Sequence, residues 1–148
     1  AENILIEVGL TAFSLFARLN QGVVLARQGH LQRAHRMVTD IINSLPPQMA
    51  QSTRSIIYCI RLVTDAALQD WTLWHEDIAH LDHLSEVPDA DLGQILEDAG
   101  QWAAQHGHPD EAVRALTVAS RIWRVNQYPA RARRVEAALQ RLTRSDER

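Results

Sequence analysis

The segment "NQGVVLARQGHLQRAHRMV" returns in pattern as "DAGQWAAQHGHPDEAVRAL", which sets Gly22 on Gly100, Ala26 on Ala104, Gly29 on Gly107, His30 on His108 and Ala34 on Ala112 at one constant offset. This self-similarity limits the fold more than any other feature. Glycine inside a helix costs about 0.5–1 kcal/mol relative to alanine. Gly22 and Gly100 at matched mid-helix positions therefore predict a second helix crossing closely at each. A degenerate middle copy, "ALQDWTLWHEDIAHL", halves the offset, putting Gln69 on the Gly29 and Gly107 position and Trp74 on Ala34 and Ala112. A helix pair recurring at such a period, about 40 residues, predicts a stack in which each pair covers its neighbour's apolar face.

Proline and glycine divide the chain at Gly29, Pro46 and Pro47, Pro88, Gly107 with Pro109, and Pro129. Between them apolar residues recur three and four apart, as in Leu92, Ile95, Leu96 and Ala99. The expected fold class is all-α: antiparallel helix-pair repeats with about seven helices, near 3–28, 31–45, 48–68, 71–85, 90–106, 109–126 and 129–143. These form one domain over 1–148, with repeats near 3–46, 48–86 and 89–126 and a capping helix near 129–143. "GHPDEA" shows how one helix begins. Pro109 loses nothing in a first turn, where its missing N–H has no intrahelical partner, and Asp110 and Glu111 complement the helix dipole there.

Charge is unevenly placed. Residues 1–61 carry six arginines and three acids, residues 62–113 twelve acids and no arginine, and residues 114–148 nine arginines and three acids. An acidic centre between basic ends would repel a phosphate backbone over much of the surface, so direct nucleic-acid binding is not expected. Two readings remain for the pattern: stacked helical layers that neutralise one another, or a band that docks a charged partner. No apolar run approaches the roughly 18–20 residues of a membrane span, and "AENILIEVGL" lacks the basic region and cleavage site of a signal peptide. With Cys59 as the single cysteine, no internal disulfide is available, and a cytoplasmic setting is expected. The start at Ala1 fits a piece of a longer protein.

The repeat carries a family resemblance. Gly22, Gly29, Ala34, Val38 and Pro46, and again Gly100, Gly107, Ala112, Leu116 and Ala119, resemble the tetratricopeptide (TPR) pattern of small, glycine, alanine and large apolar positions. The period is longer than that of the standard repeat, and the tryptophan and tyrosine customary in the first helix are missing. With these longer repeats and a basic, alanine-rich last helix, the chain is similar to the MalT-like TPR regions of bacterial signal-transduction ATPases and transcription regulators. The resemblance implies a right-handed superhelix and a non-catalytic module for protein–protein interaction or regulation. Its partner would be a protein or peptide, including other domains of the same protein. An effector-sensing domain is the alternative within binding functions.

Catalytic signatures are missing from the sequence. There is no phosphate-binding loop of the G-x-x-x-x-G-K-[ST] type, no G-x-S-x-G elbow and no second cysteine for a zinc knuckle. In "WTLWHEDIAHLDHL" His75 and Glu76 open like a zinc-protease helix, but the next histidine, His80, lies about 140° around a helix, off the face a zinc ion needs. Three readings of this stretch stay open. Glu76, His80 and His83 share a face and could ligate a divalent metal in a metal-dependent enzyme. The histidines of the acidic band (His75, His80, His83, His106, His108) could change charge in mild acid, with nearby carboxylates raising their pKa values. Or the helix buries Trp71, Trp74, Ile78 and Leu81 and turns the rest to water. No cofactor is expected.

In TPR stacks the first helix of each pair lines the concave face. Arg54, Tyr58 and Arg61 form one stripe of such a helix, and the repeat offset adds Ser14, Arg18 and Gln21. Together they are candidates to hold an acidic peptide or a carboxylate. The third repeat breaks the series, with Leu92, Leu96 and Ala99. The alternative is a solvated face, or contacts within a longer parent solenoid.

Overall fold

The computed structural model describes residues 2–81 and 90–146, with side chains described from Phe13 onward except at 51, 52 and 146. Among these residues every regular element is helical: α1 (Glu2–Arg27), α2 (Leu31–Asn43), α3 (Gln51–Leu68), α4 (Trp71–Ile78), α5 (Ala90–Gln105), α6 (Pro109–Val125) and α7 (Pro129–Asp146). The all-α expectation and the helix count hold. The fourth helix is shorter than its expected end at 85: it stops at Ile78 and tightens into a 3-10 turn, Ala79–Leu81, and residues 82–85 lie outside the described residues. None of the described helices is long and apolar enough to cross a membrane.

One turn geometry recurs four times. Gly29, Gln69, Gly107 and Gln127 take left-handed backbone angles, with φ of 83°, 60°, 78° and 64°. At each, the residue's N–H bonds the carbonyl three positions back and the next N–H reaches five back, as in Gly29 to Ala26 (3.1 Å) with His30 to Leu25 (2.9 Å), and Gln69 to Ala66 (3.2 Å) with Asp70 to Asp65 (2.9 Å). This double bond satisfies carbonyls that a helix end leaves open. Five positions after each turn, Ala34, Trp74, Ala112 and Ala132 are all 0% exposed. The turn thus delivers the next helix with the same position facing inward. Glycine enters the left-handed region without strain, whereas an L side chain pays roughly 1–2 kcal/mol there. Gln69→Gly should accordingly raise stability by about 1 kcal/mol, read from urea unfolding midpoints; a loss would show that the glutamine side chain stabilises this turn.

The mid-helix glycines lie where their spacing predicts a close crossing. A Cβ placed on Gly100 would sit 2.7 Å from Leu116 Cγ, and one on Gly22 would sit 3.1 Å from Val38 Cγ2. Leu116 and Val38 are related by the same offset as the two glycines, so the same contact is made twice, α1 against α2 and α5 against α6. Overfilling a packed contact costs about 1–3 kcal/mol. Gly100→Ala should cost an amount in that range, and Gly22→Ala less, because only one branch of Val38 must yield. Equal losses in chemical denaturation would contradict the difference in spacing.

Packing neighbours follow chain order, α1 on α2, α2 on α3, α3 on α4, α5 on α6 and α6 on α7, while α3 also packs against α1 and α5. The odd helices α1, α3 and α5 therefore stand side by side. A continuous apolar core runs through the stack, from Leu19 and Val38 through Ile57, Leu62 and Trp74 to Leu96, Ile122 and Trp123. Its burial is what the spacing of apolar residues anticipates.

Candidate functional site

Two polar arrangements stand out, a closed one between α3 and its neighbours and an open one on the odd-helix face. The closed one absorbs the α3 stripe. Arg61, 7% exposed, donates from Nε to Asp77 Oδ2 and from Nη2 to Asp77 Oδ1, each at 2.6 Å. Its third nitrogen is 3.4 Å from Thr39 Oγ1, and its guanidinium lies 5.6 Å from the Tyr58 ring centroid. Tyr58 in turn stacks on His80 at 3.9 Å. Arg54 donates to the carbonyls of Pro46 at 2.6 Å and Met49 at 3.4 Å.

Of the expected row of Arg18, Gln21, Arg54, Tyr58 and Arg61, the α3 members make these contacts within the chain. Arg54 Nε and Nη2 and the three nitrogens of Arg61 meet acceptors within the chain, whereas Arg18 and Gln21 are exposed on α1. The physical reason is desolvation: a buried guanidinium needs a fixed counter-charge, and Asp77 supplies it from α4. A polar stripe read from a helix cannot tell water from a buried partner on another helix.

Behind the pair sits Asp65, fully buried, with neither oxygen meeting a hydrogen-bond donor. Burial, followed by the neighbouring Asp77 carboxylate, pushes its carboxyl up to about 10, so Asp65 carries its proton at neutral pH. His35 Nδ1 is 3.0 Å from Thr64 Oγ1 and 3.4 Å from Asp65 Oδ1. The Thr64 hydroxyl donates to the Arg61 carbonyl at 2.8 Å, which leaves Oγ1 as acceptor and assigns the His35 proton to Nδ1. Burial and the Arg61 charge lower the His35 pKa. With neutral His35 and Asp65, the cluster holds one positive and one negative charge. It joins α3 to α2 and α4.

A third buried acid links the basic end to the acidic centre. Glu97, 3% exposed, accepts from Trp123 Nε1 at 2.7 Å and from Arg134 Nη2 at 2.9 Å. The pairs Arg61–Asp77 and Arg134–Glu97 thus match the reading in which charged layers neutralise one another.

The open arrangement is a cavity of about 300 Å³ where α1, α3 and α5 meet, walled by Val23, Ala26, Leu31, Ile60, Val63, Ile95 and Trp102, with Arg27, Asp98, Gln101 and Gln105 as its polar members. Asp98 Oδ1 accepts from Gln94 Nε2 at 3.1 Å. Burial raises the Asp98 pKa, against the opposing influence of Gln94 and of the Arg27 charge. A second cavity of about 240 Å³ shares Arg27 and is bounded by Asp91, Gln94, Trp123, Tyr128 and Arg131. There Arg131 lies over the Trp123 ring at 4.6 Å. The α3 residues of the cavity, Ile60 and Val63, lie on a different face of that helix from Arg54, Tyr58 and Arg61.

The histidine stretch resolves into separate contacts. His75 Nε2 is 3.1 Å from Glu111 Oε1, His108 Nδ1 is 3.6 Å from Glu111 Oε2, and the His108 ring stacks on Trp71 at 3.8 Å. His106 Nδ1 meets the Trp102 carbonyl at 2.8 Å. Trp74, Ile78 and Leu81 are buried as expected. Of the metal trio, Glu76 is exposed, His80 is stacked on Tyr58, and His83 lies outside the described residues; among the described residues no three ligating side chains converge.

Among the described residues every regular element is helical, and a cavity opens between α1, α3 and α5. No family model, curated protein or solved structure matches the chain.

Proposed function

We propose that the chain is a non-catalytic binding module, a TPR-like right-handed superhelix of helix pairs serving a bacterial signalling or transcription-regulator protein in the cytoplasm. Its partner is a protein or peptide, including other domains of the same protein, received on the face of α1, α3 and α5. The observation that carries this reading is the cavity at the junction of those three helices. Concave sites with apolar walls and a few polar groups are where proteins take ligands, and the four matching turns and paired glycine contacts are the features that favour a repeat scaffold.

Selection of binders from a displayed random-peptide library tests it. The recovered peptides should lose at least tenfold in affinity when Val63→Trp fills the cavity, and keep it when Arg121→Ala alters exposed α6. Peptides indifferent to Val63→Trp would move the binding face elsewhere. A small-effector sensor is the second reading, favoured by the cavity's size at the lower end of the range for small-molecule sites.

A further inference from the structure

We propose that the cavity between α1, α3 and α5 binds a small apolar zwitterion, a free α-amino acid with a branched or aromatic side chain. The inference rests on the odd-helix groove being the binding face and names the chemistry that groove would select. Ile60, Val63, Ile95 and Trp102 wall the cavity with carbon surface, where a sugar or another many-hydroxyl ligand would leave polar groups unpaired at a cost. The body of the ligand is therefore apolar.

Two opposite charges line the cavity, one from α1 and one from α5. Asp98 has one oxygen held by Gln94 and its other oxygen without a donor among the described residues, although the carboxyl is half-buried. Arg27, in the last turn of α1, is exposed and lines the cavity. It acts on Asp98 through its field but forms no ion pair with any acid among the described residues. An ammonium bonded to Asp98 would restore solvation that burial has removed, and a carboxylate would gain a charge-assisted bond from Arg27. A phosphate would meet Asp98 as a like charge, and a dication would meet Arg27. One ammonium and one carboxylate on a compact apolar body satisfy both poles, and the cavity volume of about 300 Å³ suits a ligand of that size.

Calorimetric titration of the intact chain tests the assignment, with circular dichroism confirming that each variant is folded. Leucine, isoleucine and phenylalanine are the ligands; isoamylamine lacks the carboxylate, isocaproate lacks the ammonium and glycine lacks the body. At least one of the three amino acids should bind, with all three controls at least tenfold weaker. Asp98→Asn and Arg27→Gln should each weaken that amino acid at least tenfold, and Val63→Trp should abolish binding. Arg27→Gln should weaken the amino acid but not isoamylamine, since that amine has nothing for the arginine to hold and loses a like charge nearby. No binding of the three at millimolar concentration, or binding indifferent to Asp98 and Arg27, overturns the proposal. Peptides selected on the groove that still respond to Val63→Trp would in that event leave the groove reading standing and remove the amino acid alone.

Discussion

Asp77→Ala should lower the unfolding free energy by about 3–5 kcal/mol, the cost of leaving one member of a buried ion pair without the other. The Arg61 and Asp77 side chains are 9% and 1% exposed, with their closest approach at 2.6 Å, so water screens them little. The loss is not the worth of the pair. Most of it comes from a guanidinium stranded in a space built for two charges. Arg61→Met combined with Asp77→Leu should therefore recover most of the stability, because an apolar pair of similar volume carries no desolvation cost. Against a typical total stability of about 5–15 kcal/mol, the single change is easily read in urea unfolding. A loss below about 1 kcal/mol, the range of surface pairs, would mean that Arg61 finds water or another acid.

Asp65→Asn should act in the opposite direction. The Asp65 carboxyl has an ordinary value of 3.8 and is pushed up to about 10 in the folded chain. Across that window the unfolded chain has released a proton that the folded chain retains. The stability belonging to this group is complete below pH 4, declines as pH rises, and stops changing once pH passes 10 and both states are ionised. Asparagine keeps the shape without the proton, and its amide N–H can face the Asp77 carboxylate. At pH 8 the variant should be more stable by an amount on the order of several kcal/mol, given about 1.4 kcal/mol for each unit of pKa difference. Urea midpoints between pH 7.5 and 9.5 give the cleaner sign. His35 is kept neutral in the fold, so its contribution changes at lower pH. The parent should lose stability across that interval and the variant should not; parallel slopes would mean that Asp65 is already ionised in the folded state.

Much of the scaffold was legible along the chain. Gly29 and Gly107 announced two turns through a conformation that glycine enters cheaply, and the offset between the two copies marked Gly22 and Gly100 as close helix crossings. The turn at Gln69 was readable only by alignment with those glycines. At Gln127 the break was marked by Pro129 but its left-handed backbone was not, because glutamine carries no signal for it and no copy was available to align with it. The end of α4 was misplaced for a related reason: apolar spacing in "HEDIAHLDHL" continues past Ile78, while the backbone tightens at Ala79.

The candidate site was less legible. Arg54, Tyr58 and Arg61 formed a convincing polar stripe, yet in the fold Arg54 bonds backbone carbonyls, Tyr58 stacks on His80 and Arg61 pairs with Asp77. Asp65 and Asp77 passed as two members of an acidic band, and nothing in their local sequence distinguished them from exposed Asp70. Arg27, Val63 and Asp98 drew no attention singly, since each belongs to a different helix and is ordinary on its own.

By itself, the sequence determined the helices, most of their boundaries and the glycine contacts between paired helices. These depend on backbone preference and on periodicity within a few turns, which neighbouring residues encode. Only the tertiary structure decided which charges are buried, which proton Asp65 keeps and where a cavity opens. Those outcomes depend on desolvation and on distances between different helices, as from Arg61 to Asp77 or from Arg27 to Asp98. There a residue's environment is made by others that its own neighbours do not specify.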